Sequence, residues 1–145
     1  MTTFNLGAAL AELGEKVLLI DSDGQCNLTM QSGANVEGAS NLSTYLNDDD
    51  VEIKPVSINE NLWIIPGSTA LDEDAHNIEL SIEDDINGAT HYLADILKKI
   101  ENSYNYILID SAPPPLLLFF LPEKEPKDFL RRATPCLSSR KHRFR

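Results

Sequence analysis

Two apolar runs that each end in aspartate constrain this chain more than any other feature. The first run, residues 17–20, is followed by Asp21 and Asp23, and the second run, residues 106–109, is followed by Asp110. Continuous apolar runs of this length are typical of strands that are buried on both faces of a parallel sheet. Because ligands of open parallel sheets bind beyond the carboxyl ends of the strands, the sequence predicts an acidic site at one sheet edge.

Such an acidic edge has two physical interpretations. Carboxylates there can hold a hydrated Mg²⁺ and orient a water, which makes nucleotide phosphates the leading candidate ligand. The alternative is that each aspartate caps the turn or helix that follows it, since a carboxylate accepts backbone N–H bonds. For either acidic end alone, capping is the better interpretation. Two such ends in one chain of alternating helices and strands favour a ligand site.

Helices and strands are predicted in alternation along the chain. Apolar residues recur at helical spacing from Leu6 to Leu13 and predict a first helix over residues 3–13. A short helix is expected over residues 42–46, and residues 62–65 read as a second strand because Pro66 and Gly67 follow directly.

A longer helix is predicted before the third strand. Ser81, followed three residues later by Asp84, resembles a capping arrangement. Apolar residues then recur at helical spacing from Ile86 to Ile100, which predicts an amphipathic helix that ends near Asn102. The order of elements therefore predicts an α/β fold.

Length and composition exclude several classes of protein. At 145 residues and 42% hydrophobic content, the chain fits one domain of ordinary globular composition. Cys26 and Cys136 lie far apart, and His76, His91 and His142 occur singly, so neither a disulfide framework nor a zinc site is indicated. No segment has the length of a membrane span or the pattern of a signal peptide, and we therefore expect a cytoplasmic protein.

Charge divides the chain into two parts. Residues 123–145 carry eight basic and three acidic side chains, a net charge of +5, whereas residues 1–122 carry a net charge of −16. An acidic body repels nucleic-acid phosphates, so direct contact with DNA would have to come from the tail. The tail has no sustained helical or strand period, and disorder is the expected state.

Three segments together resemble one protein family. The stretches TTFNLGAALAELGEKVLLIDSDGQCNLT, ENLWIIPGS and YNYILIDSAPP occur in this order over residues 2–114. They are similar to the segment after the phosphate loop, the ENLxxIPGS segment and the Walker B segment of ParA-type partition ATPases, the deviant Walker A group that also contains MinD. The resemblance implies an incomplete three-layer α/β fold of the P-loop NTPase type, with a mostly parallel sheet.

The resemblance also implies roles for individual residues. Asp23 matches the family's switch carboxylate, the catalytic group that positions the hydrolytic water, and Asp110 matches the Walker B acid that supports Mg²⁺ through a water. Asp21 matches the companion acid beside the metal and the nucleotide. Thr2 and Thr3 fall in the first turn of the helix that faces the phosphates of ATP, where free N–H groups favour anions.

Departures from the family pattern lie at both ends. Aligned on Asn5, the glycines, lysines and magnesium-binding threonine of the phosphate loop fall upstream of Met1. Each charge-assisted hydrogen bond is worth about 1.5 to 3 kcal/mol, so we expect this chain alone to bind ATP weakly. Gly24 stands where the family has proline. We find no match after Pro115, which predicts a partial nucleotide-binding domain over residues 1–115 and an unmatched basic tail over residues 116–145, either disordered or read in a shifted frame.

Function is expected from the resemblance alone. ParA-type ATPases bind ATP and Mg²⁺, form nucleotide-dependent homodimers that bind DNA nonspecifically, and act with a ParB-like partner to partition plasmids or chromosomes. Two alternatives stay open: a MinD-like ATPase that positions the division site, and a non-enzymatic remnant that acts as an interaction module. For the tail, the alternative to a shifted frame is an arm that binds DNA or a partner.

Overall fold

Five helices and four strands lie in the part of the chain that is described. The computed structural model describes residues 2–84 and 92–111. In chain order the elements are α1 Thr2–Glu12, β1 Val17–Asp21, α2 Asn27–Ser32, α3 Leu42–Asn47, β2 Val56–Asn59, β3 Leu62–Ile65, α4 Leu71–Asp84, α5 Tyr92–Ile100 and β4 Tyr106–Asp110. A short 3₁₀ turn, Glu101–Ser103, leads from α5 toward β4.

The strands form one sheet in the order β2-β3-β1-β4. β1 pairs in parallel with both β3 and β4, and β2 pairs with β3 in the antiparallel direction. The register places Asp21, the last residue of β1, directly opposite Asp110, the last residue of β4. The prediction of an α/β fold with a mostly parallel sheet is therefore confirmed.

Helices pack on both faces of the sheet, because alternate residues of β1 point to opposite sides. Leu18 and Ile20 join a core cluster with side chains of α3 and α5. Val17 and Leu19 join a second cluster with side chains of α1 and α2. All four residues are fully buried, so the sheet is the middle of three layers.

Helix α1 approaches the sheet closely at Gly7. A Cβ atom at this position would lie 2.7 Å from Cδ2 of Leu19, and side chains of Leu62 and Leu108 lie nearby. The missing side chain lets α1 lie directly over β1, β3 and β4. This placement brings the first turn of α1 to the carboxyl edge of the sheet, where Thr3 contacts Asp110.

The other predicted elements are partly confirmed. The first helix, the short helix after residue 41 and the three parallel strands are present, and their bounds differ from the predictions by at most one residue. The start of the long helix near Ser81 was wrong, since Ser81 lies inside α4 and the described part of α5 begins at Tyr92. Helix α2, the first part of α4 and the edge strand β2 were not predicted.

Part of the predictions lies outside the described residues. These are the basic tail, the proposed domain end at residue 115 and the segment 85–91, so each stays a prediction. Within residues 2–84 and 92–111, no helix is long and apolar enough to cross a membrane.

Candidate functional site

Strands β1 and β4 end together at the carboxyl edge of the sheet. Beyond their paired last residues, Ser22 donates two hydrogen bonds to the backbone carbonyl of Asp110, from its N–H at 2.8 Å and from its Oγ at 2.7 Å. The loop that leaves β1 is therefore fixed against the end of β4. This arrangement brings the two predicted acidic ends of the sequence to one place.

Asp110 is held by the first turn of α1. Thr3 Oγ1 donates a hydrogen bond of 2.7 Å to Asp110 Oδ1, and Thr3 is buried beneath the turn. Asp110 itself is half-buried, whereas Thr2, the first residue of α1, is exposed. Of the two predicted threonines, Thr3 is thus the one with a contact to a predicted acid.

Asp21 is buried and fully engaged with protein groups. Its side chain is 0% exposed. Oδ2 accepts hydrogen bonds from Thr29 N at 2.8 Å and Thr29 Oγ1 at 2.6 Å, and Oδ1 accepts one from Asp23 N at 3.3 Å. Burial raises the pKa of Asp21 above its ordinary range; hydrogen bonds from Thr29 and Asp23 oppose this rise, and the charge of Asp110 adds to it.

These contacts make Asp21 the N-terminal anchor of α2. Cys26, the residue before α2, has a left-handed backbone with φ of 55° and makes no capping bond with its side chain. The carboxylate of Asp21 instead accepts the N–H of Thr29 in the first turn, as a capping side chain would. The capping alternative from the sequence therefore describes the observed contacts of Asp21.

Asp23 lies in the tight turn between β1 and α2. Its Oδ1 accepts the N–H of Gln25 at 2.9 Å, and its carbonyl accepts the N–H of Cys26, also at 2.9 Å. The side chain is half-buried. Two residues beyond Asp21, this turn places Asp23 at the same sheet edge as Asp110.

A further acid from α4 lies against this turn. A Cβ atom at Gly24 would lie 2.5 Å from Oδ1 of Asp72, a residue of the first turn of α4. The pKa of the Cys26 thiol is raised, first by burial and then by the charges of Asp21, Asp23 and Asp72. The turn therefore lies in an acidic environment to which β1, the turn itself and the first turn of α4 contribute one aspartate each.

The residues at this edge fit a hydrated Mg²⁺ better than a metal held by protein groups alone. Among the described residues, no group of three or more His, Cys, Asp or Glu side chains is arranged to hold a metal ion. Mg²⁺ in nucleotide sites keeps several waters and uses one or two carboxylates together with phosphates. The carboxylate of Asp110 and the hydroxyl of Thr3 are oxygen donors of the required kind, whereas Asp21 is enclosed by its bonds to α2.

Comparisons with known proteins match this architecture. A family model described as an AAA domain matches residues 1–121. A ParA family protein from Chlamydia trachomatis is 37% identical over 117 residues, which are 77% of this chain and 44% of that protein. The chain belongs to the ParA/MinD-type ATPase family. It spans less than half the length of this relative.

Other members of the family and of its fold extend the likeness. The chromosome-partitioning ATPase Soj of Treponema pallidum is 36% identical over 120 residues, covering 77% of this chain and 42% of that protein. The crystal structure of cobyrinic acid a,c-diamide synthase from Mycobacterium smegmatis, with a bound ATP analogue and magnesium, has a TM-score of 0.65 at 25% identity. That match covers 82% of this chain and 48% of the synthase.

For this ParA/MinD-type chain, sequence reasoning missed two residues at the carboxyl edge. Thr29 was part of a quoted motif but was given no role, although its hydroxyl and N–H both contact Asp21. Asp72 stands seven residues after the end of β3, and a third acid after a third strand was the available signal. Neither residue follows its strand directly, which is why the pattern of apolar runs ending in aspartate did not include them.

Proposed function

We propose that this chain provides the metal and water side of a ParA-type ATP site, and that the protein uses ATP binding and hydrolysis to partition plasmid or chromosomal DNA. The observation that carries the proposal is the pairing of Asp21 with Asp110 at the carboxyl edge, with Thr3 Oγ1 2.7 Å from Asp110. Membership of the ParA/MinD-type family supports the same assignment.

Each residue has a proposed part in this site. Asp23 is the catalytic carboxylate that orients the attacking water, and Asp110 supports Mg²⁺ through a bound water. The backbone N–H groups of Thr2 and Thr3 face the phosphates at the start of α1, where the helix dipole favours anions. Asp21 acts as the companion acid behind them. When bound, Mg²⁺ neutralises phosphate charge, which together with positioning accounts for most of the catalysis of phosphoryl transfer.

Properties of the whole protein belong to the same proposal. The chain covers 42% of the Treponema pallidum partitioning ATPase, so dimerisation around nucleotide, nonspecific DNA binding by that dimer and a ParB-like partner are proposed from the likeness to this relative and to the ParA family. We further propose that the protein acts in the cytoplasm, as chromosome or plasmid partition requires.

ATP turnover tests the proposal. The 145-residue chain is compared with a version that carries the family's preceding strand and KGGVGKT loop directly ahead of Met1, which keeps Asn5 in the family's register. We expect weak or no turnover by the first protein, measurable Mg²⁺-dependent turnover by the second, and loss of that turnover on Asp23→Ala. A folded circular-dichroism spectrum without turnover in either protein would contradict the proposal and favour a non-enzymatic interaction module.

A further inference from the structure

One hydroxyl group joins three separate segments beneath the candidate site. Thr29 Oγ1 donates a hydrogen bond of 2.6 Å to Asp21 Oδ2 and accepts one of 2.9 Å from the backbone N–H of Gly67. Thr29 lies in α2, Asp21 ends β1, and Gly67 lies in the connection that follows β3. The hydroxyl therefore acts both as a donor, to the end of β1, and as an acceptor, from the connection after β3.

This junction controls a helix that has little stability of its own. α2 contains only six residues, and an isolated helix of this length does not form in water. Its N-terminus has no side-chain cap from Cys26. The bonds of Thr29 to Asp21 and from Gly67 are consequently contacts that hold the start of α2 on the sheet edge.

The connection after β3 packs directly on the same carboxylate. A Cβ atom at Gly67 would lie 3.0 Å from Cγ of Asp21. On the other side of the turn, Gly24 lies against the carboxylate of Asp72 in the first turn of α4. The connection after β3 thus packs on Asp21, directly before the turn that carries Asp23, and the first turn of α4 packs on Gly24 within that turn.

We infer that Thr29 is a positioning residue for Asp23: by bonding Asp21 and Gly67 at once, it fixes the turn over residues 22–26 against the end of β3. The inference rests on the proposed function in one respect, namely that Asp23 orients the water. It goes beyond that function because it assigns a role to a residue outside the acidic site and predicts that the connection after β3 and the turn move together.

The thiol of Cys26 reports directly on the order of this turn. Cys26 lies between Asp23 and Thr29, is half-buried, and is one of only two cysteines in the chain. In a Cys136→Ser background, the rate at which an aromatic disulfide reagent modifies Cys26 measures how often the turn opens. The measurement uses the full chain and needs no nucleotide.

Three substitutions separate positioning from general stability. Thr29→Val, which removes the hydroxyl and keeps the shape, should raise the rate of Cys26 modification about tenfold or more, since the hydroxyl's bonds to the carboxylate of Asp21 and from the N–H of Gly67 are both lost. Thr29→Ser, which keeps the hydroxyl, should restore the parent rate. Thr44→Val, which removes a hydroxyl from the capping box of α3, should leave the rate unchanged. The inference would be overturned if Thr29→Val reacted at the parent rate, or if Thr29→Ser reacted as fast as Thr29→Val.

A second variant serves if Thr29→Val does not fold. Asp21→Asn removes the buried charge. In the double variant Asp21→Asn with Thr29→Val, no charged carboxylate therefore loses its hydrogen-bond donor. The double variant should react faster at Cys26 than Asp21→Asn alone, and equal rates would again overturn the inference.

Catalysis gives an independent readout. In the version that carries the phosphate loop, Thr29→Val should lower kcat for ATP hydrolysis about tenfold with little change in KM, and Thr29→Ser should restore it. A rise in KM alone would contradict a positioning role. If the thiol results hold while the loop-bearing parent shows no turnover, the fixing of the turn by Thr29 stands and the proposed ATP function falls.

Discussion

Burial separates Asp21 from the other two carboxylates of the site. Its side chain is 0% exposed, whereas Asp23 and Asp110 are half-buried. A buried carboxylate is disfavoured in its charged form, and the raised pKa of Asp21 shows that desolvation outweighs the hydrogen bonds from Thr29 and Asp23. Asp21 therefore anchors α2 at an electrostatic cost.

This cost predicts how the stability of the protein depends on pH. Because the pKa of Asp21 is higher in the folded state than its ordinary value of 3.8, the folded state holds more protons than the unfolded state at pH values between 3.8 and the raised pKa. The contribution of Asp21 to the free energy of unfolding is then greatest below pH 3.8 and is lost as pH rises through the raised pKa. Asp21→Asn, which keeps an acceptor for Thr29, should gain stability relative to the parent over the same range.

Urea unfolding followed through the single tryptophan, Trp63, measures this difference. The ring of Trp63 contacts that of Tyr104 at 5.5 Å between centroids, so its fluorescence reports on packing of the sheet. The quantity compared is the free energy of unfolding of Asp21→Asn minus that of the parent, from acidic to neutral pH. A difference that stays constant, or that shrinks as pH rises, would contradict the account of Asp21.

Thr3 provides a second prediction at the scale of single residues. Thr3→Val keeps the shape of the buried side chain but removes the donor to Asp110, and we expect a loss of about 1 kcal/mol in the free energy of unfolding. Thr3→Ser retains the donor and should lose less. Equal stabilities of Thr3→Val and the parent in urea would mean that the hydrogen bond contributes nothing.

Residues of the site were predictable only where they follow a strand directly. Asp21, Asp23 and Asp110 stand at the ends of apolar runs, so their meeting at one sheet edge followed from the sequence. The burial of Asp21 did not follow, because it depends on Thr29, which lies eight residues further along and folds back onto the carboxylate. Contacts of this kind depend on where α2 packs, and a local pattern does not contain that information.

At the scale of elements, α1 sets the distance between the first turn and the sheet edge. Gly7→Ala would place a Cβ atom 2.7 Å from Leu19, whose side chain is fully buried and has no free space. Although alanine favours helix, we expect a net loss of about 1 to 2 kcal/mol in the free energy of unfolding, because extra atoms strain a packed core.

A double-mutant cycle provides the control for Gly7. In a Leu19→Ala background the added methyl group has room, so Gly7→Ala should no longer destabilise the protein. Asn5→Ala, at an exposed position of the same helix, should change stability little. If Gly7→Ala is equally destabilising in both backgrounds, close packing of α1 on Leu19 is not the cause.

The elements that sequence reasoning missed are short or weakly patterned. α2 has six residues and no charged side chain, and β2 has four residues whose burial alternates between partial and none. α4 begins with three acidic residues in its first turn. These charges suit a helix N-terminus, but they interrupt the helical spacing of apolar residues from which a helix is predicted. In contrast, β1, β3 and β4 are continuous apolar runs, and β1 pairs in parallel with both of the others, as such runs predict.

At the scale of the whole molecule, the sheet order brings the site together. β1 lies between β3 and β4, so the loops that follow all three strands meet at one edge. The mostly parallel sheet was predictable from three apolar runs separated by helices, and the family from three motifs in order. The pairing of β1 with both neighbours was not predictable, since strand order follows from packing of helices on the two faces.

Magnesium dependence of ATP turnover tests the central claim most directly. In the loop-bearing version of the chain, the Mg²⁺ concentration at half-maximal turnover is measured for the parent, for Asp110→Asn and for Asp49→Asn, an exposed acid away from the sheet edge. If Asp110 supports the metal, Asp110→Asn should raise this concentration about tenfold and Asp49→Asn should not change it. An identical Mg²⁺ requirement in the parent and Asp110→Asn, with both proteins folded and active, would contradict the account.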